Sequence, residues 1–72
     1  MIHYVRMTPN AVTIQAHREV WENVLSHIPP HTRGVEKRVA DALVEALGSG
    51  DESVLRIDFL PEEAALIQEG KW

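Results

Sequence analysis

The sequence predicts a small α+β domain with the element order β-β-α-α-β-α and a three-stranded sheet covered by helices on one face. Three observations carry that reading. Leu55, Ile57 and Phe59 alternate with Arg56 and Asp58, the period of two that turns apolar groups to one side of a sheet. Pro61, Glu62 and Glu63 follow at once and suit a helix start, since proline at the first helical position forfeits no bond and carboxylates favour the positive end of the helix dipole. Upstream, Pro29-Pro30 separates two stretches of helical periodicity, so two helices precede this strand.

In chain order, Ile2 to Met7 holds aromatic and β-branched residues and reads as a strand, Thr8-Pro-Asn-Ala11 has turn chemistry, and Val12 to Ala16 returns as the partner strand. A rival reading makes Thr8 an N-cap and Pro9 the first residue of one long helix, with Ile14, His17, Trp21, Val24, Leu25 and Ile28 on one face. An internal echo favours the hairpin. A shift of 43 positions pairs Val12 with Leu55, Ile14 with Ile57, Ala16 with Phe59 and Glu19 with Glu62, a guide to local structure rather than a sign of duplication. His17 to about His27 is then the first helix, with Trp21, Val24, Leu25 and Ile28 inward and Arg18 with Glu22 as an exposed (i, i+4) pair. Thr32 is expected to cap a second helix over about Arg33 to Leu47, closed by Gly48-Ser-Gly50. Gly70 ends the third helix. The expected core includes Ile14, Val24, Leu25, Val39, Leu43, Ile57 and Phe59.

At 72 residues the chain is one domain, and 44% hydrophobic with 25% charged residues is a globular composition. A core this small is marginal, and the absence of cysteine leaves packing or association to supply stability that disulfides would otherwise give. The same absence suits the cytoplasm. There is no apolar run of signal-peptide or bilayer length, so a soluble, unexported protein without a membrane partner is expected. Arginine outnumbers lysine five to two and Ala, Val and Glu are frequent, a hint of a GC-rich genome such as that of an actinobacterium or its phages.

The candidate chemistry is sparse. His27 and His31 stand four apart but straddle Pro29-Pro30, which breaks the helical face that an (i, i+4) metal pair needs. The acidic pairs Glu19 and Glu22, Glu62 and Glu63, and Asp51 and Glu52 each suit an ion pair, a helix start or a polar loop. No nucleophile motif, phosphate loop or cofactor motif is present, so neither catalysis, nor a cofactor, nor a small-molecule substrate is expected.

Two functional readings remain. Helix, short link, helix resembles helix-turn-helix order, with Arg33, Lys37 and Arg38 near the start of the second helix where a DNA-binding regulator presents its contacts. Glu36, Asp41 and Glu45 offset those cations and the net charge is −4, which disfavours nucleic acid. The preferred reading is a small acidic protein–protein interaction module, an accessory protein of phage or actinobacterial type that binds a host or complex partner and most simply forms a homodimer. It rests on the second helix. Val35, Val39, Ala42, Leu43 and Ala46 make one apolar stripe, and Ala40, Val44 and Leu47 widen it to about 200°, where roughly 100° suffices for a surface helix. Ala40, Val44 and Leu47 are therefore the expected interface.

Overall fold

Thr8 decides how the first part of the chain folds. In the computed structural model, which describes residues 2–70, its hydroxyl accepts the Ala11 amide at 3.0 Å, the bond a helix N-cap would make. The Thr8 amide, however, donates to the Ala11 carbonyl at 2.8 Å and closes a turn. A hairpin results, β1 (His3–Met7) antiparallel to β2 (Val12–His17), and the long-helix alternative is set aside.

The remaining elements are α1 (Arg18–Ser26), α2 (Val35–Gly48), β3 (Val54–Phe59) and α3 (Pro61–Glu69). The predicted order β-β-α-α-β-α is the observed one. The sheet runs β1-β2-β3, all antiparallel, with helices packed against one face of β2 and β3. Val12, Ile14 and Ala16 of β2 and Leu55, Ile57 and Phe59 of β3 point into the core, where burial of each larger side chain contributes roughly 1.5–3 kcal/mol. The register pairs Val12 with Phe59, Ile14 with Ile57 and Ala16 with Leu55. Exchanging each residue for its counterpart 43 positions away leaves this set of pairs unchanged, so the echo marks two strand-to-helix units related by a local two-fold at Ile14 and Ile57.

Trp21 on α1 is the largest fully buried side chain among the described residues. Its indole N–H donates to the Leu55 carbonyl at 3.2 Å, and its ring lies 5.8 Å from that of Phe59, which joins α1 to β3. Leu25, expected in the core, is only half-buried at its margin.

The second helix starts later than expected. Thr32 does not cap it; the Thr32 hydroxyl instead donates to Glu36 Oε2 at 2.9 Å. The N-cap is Gly34, with φ 71° and ψ −137°, a backbone conformation that only glycine adopts without strain. The chain bends there before the helix begins at Val35, which leaves Arg33 outside it. At α3, Pro61 takes the first position and Glu63 Oε1 accepts the Leu60 amide at 2.8 Å, while Gly70 ends the helix in an extended conformation. Among the described residues no helix is long and apolar enough to cross a membrane.

Candidate binding surfaces

The expected interface divides in two. Ala40 and Leu47 are half-buried against the chain's own core, so the wide apolar arc of α2 is partly covered from within. Val44 is not covered and stands 58% exposed among charged neighbours. It forms one wall of a shallow groove of ≈330 Å³ whose apolar lining comes from Leu25, Ile28, Pro29, Pro30 and Ala40, with Lys37 and Asp41 on its rim. The proline pair that ends α1 thus also builds the groove, because its rigid backbone carries the chain past α2 without refilling the space.

The three cations of the nucleic-acid reading are dispersed. Lys37 pairs with Asp41 at 3.0 Å along one face of α2. Arg38 reaches across to α3, with Nη2 2.8 Å from Glu62 Oε1 and Nε 3.2 Å from Glu63 Oε2. Glu63 is nearly buried, and its carboxylate is satisfied by this arginine and by the Leu60 amide, so the pair serves helix packing. Arg33 is exposed on the link between α1 and α2.

Arg18 departs from its expected role. It makes no ion pair with Glu22 among the described residues; its guanidinium fans out to three backbone carbonyls, Glu52 at 2.9 Å, Leu47 at 3.0 Å and Gly50 at 2.6 Å. Its own amide donates to Ser53 at 2.8 Å. A positive charge at the C-terminal end of α2 is also favourable against the helix dipole. One side chain therefore fixes the loop that turns α2 into β3.

Of the remaining polar groups, His17, Glu19, Glu22, Asp51 and Ser53 line one open cleft of ≈570 Å³ beside Arg18, while the other histidines lie elsewhere. His17 precedes α1, His27 Nδ1 lies 2.8 Å from the Asn23 carbonyl, and His31 sits in the turn after Pro30. Among the described residues no group of three or more His, Asp and Glu side chains converges as a metal site would require. Asp58 accepts the Thr13 hydroxyl, and Arg56 Nε donates to Gln15 Oε1 at 2.7 Å, both on the sheet face away from the helices.

The surface that sequence reasoning missed is β1. All five of its residues are exposed, including Tyr4, Val5 and Met7, because the helices pack chiefly against β2 and β3 and leave this edge strand largely uncovered. Its amino-acid types signalled a strand; no local signal reports where the helices fall short of it. No family model, curated protein or solved structure matches the chain.

Proposed function

We propose that the protein is a non-catalytic protein–protein interaction module that associates through the outer face of α2, its simplest partner being a second copy of itself. The observation that supports this is Val44, an aliphatic side chain 58% exposed beside an apolar groove, where an isolated monomer gains nothing from it. Antiparallel packing of two α2 helices about a two-fold axis level with Ala42, but on the outer face opposite that residue, sets each Val44 over the other copy's Ala40. A small residue facing a larger one permits close approach. The same axis lays the methylenes of Lys37 over the partner's half-covered Leu47, a use of its stem that leaves the ammonium in water.

Light scattering of the parent and of Val44→Glu tests the proposal. A parent of two-chain mass at about 100 μM, where even a micromolar dimer is mostly assembled, and a variant of one-chain mass with intact secondary structure, support it. A monomeric parent at that concentration refutes the homodimer.

A further inference from the structure

The bare strand β1 carries different chemistry on its two sides, and its register shows which residue lies where. Tyr4 pairs with Ile14 and Met7 with Val12, so both point to the helix side, where they remain 38% and 72% exposed because the helices pack chiefly against β2 and β3. His3 pairs with Gln15 and Arg6 with Thr13, so both point to the open face of the sheet. Arg6 has no side-chain partner among the described residues; on the same face two strands away, Arg56 stands in the row of His3 and Gln15, and Asp58, which accepts the Thr13 hydroxyl, stands in the row of Arg6. Among the described residues no strand lies along the outer edge of β1. An edge with unpaired backbone groups, bearing an unpartnered arginine on one side and apolar side chains on the other, is a template for an added strand of complementary alternation.

From this we infer that β1 binds an extended segment of a partner protein in which acidic and apolar residues alternate. Added alongside β1, such a segment brings its carboxylates to Arg6 and His3 on the open face and its apolar residues to Tyr4 and Met7 on the other. The inference deepens the proposed binding function by naming a partner chemistry, but it uses a surface separate from α2. A second copy of β1 is a poor occupant. Pairing like strands about a two-fold normal to the sheet keeps both open faces on one side and brings the Arg6 of both copies onto that side, which like charges oppose. Single-stranded nucleic acid would be drawn to the arginines but, among the described residues of that face, would find only the small His3 ring to stack on, since Tyr4 points the other way. The irregularity between Tyr4 and Arg6 breaks the even edge, which discourages indiscriminate strand addition and leaves side-chain complementarity to select the partner.

The test is fluorescence anisotropy on the full chain, with a labelled decapeptide alternating aspartate and valine, its lysine–valine counterpart, and a labelled oligothymidylate. The inference predicts binding of the acidic peptide that weakens with salt, no comparable binding of the lysine peptide, and weaker binding of the oligonucleotide. Arg6→Glu should weaken the acidic peptide by about five- to tenfold and make the lysine peptide the better ligand. Met7→Lys should also lower its affinity, whereas Val44→Glu should leave affinity unchanged. Equal binding of both peptides, indifference to Arg6→Glu, or preference for the oligonucleotide overturns the inference. A monomeric parent that still binds the acidic peptide refutes the α2 dimer alone.

Discussion

Replacing Arg18 with alanine should destabilise the protein by about 2 kcal/mol, and the structure sets both that size and its limit. Three hydrogen bonds from a charged donor to neutral carbonyls are lost. Each would contribute roughly 1.5–3 kcal/mol if fully shielded. The acceptors on Glu52 and Gly50 are exposed, so water replaces most of what those two bonds supply; only the bond to Leu47 is partly buried. The loss therefore approximates one shielded bond plus part of a favourable charge at the end of α2. Lysine at this position keeps the charge but cannot span three diverging acceptors, so Arg18→Lys should recover less than half of the deficit. Urea denaturation measures the difference, and a loss of this size lowers the midpoint of thermal unfolding by roughly 8–16 °C for a chain of this length. Amide hydrogen exchange should accelerate between Gly50 and Ser53, where the loop is no longer held. The control is Glu22→Gln, which should be neutral because Glu22 is not the partner. A loss below about 0.5 kcal/mol for Arg18→Ala, or an equal effect of Glu22→Gln, would return Arg18 to an ordinary surface pair.

Other predictions concern the core, the bend before α2 and nucleic acid. Phe59→Ala should cost about 3–5 kcal/mol, since Phe59 is 2% exposed and packs against Trp21; a loss under about 1 kcal/mol would contradict the assigned core face. Gly34→Ala should cost about 1–3 kcal/mol through backbone strain alone, because nothing lies within 4 Å of an added Cβ while φ is 71°. Neutral behaviour of that variant in denaturation would mean the bend is not as described. Mobility shifts should find at most weak duplex DNA binding at low salt that vanishes near physiological salt, since Lys37 and Arg38 already face carboxylates. Tight, sequence-dependent retention would revive the regulator.

What was legible in the sequence was whatever local periodicity controls. The alternation over β3, the proline that opens α3 and the proline pair after α1 each act within a few residues, and each appears where expected. Misreadings came where distant parts of the chain meet, or where one residue's backbone freedom overrides a neighbour's capping chemistry. Arg18 resembles an (i, i+4) partner of Glu22 until the loop some thirty residues on brings three carbonyls to it. Thr32 has the right chemistry for a cap, but Gly34 can adopt a backbone angle closed to its neighbours, and that freedom moved the helix start. The apolar arc of α2 was visible, yet its division into half-covered Ala40 and Leu47 and uncovered Val44 depends on how α1 and Pro29-Pro30 pack alongside. The exposure of β1 had no local signal, because it reflects where the helices stop rather than anything in the strand.

The most direct test of association through α2 is an isotope-filtered nuclear Overhauser experiment on a mixture of labelled and unlabelled chains, which reports only contacts between copies. The proposed two-fold packing predicts intermolecular cross-peaks between the methyl groups of Val44 and Ala40, with further ones from Leu47 to the Lys37 side chain. Intermolecular cross-peaks confined to β1, or none at Val44 at about 100 μM, where a micromolar dimer is mostly assembled, would contradict it.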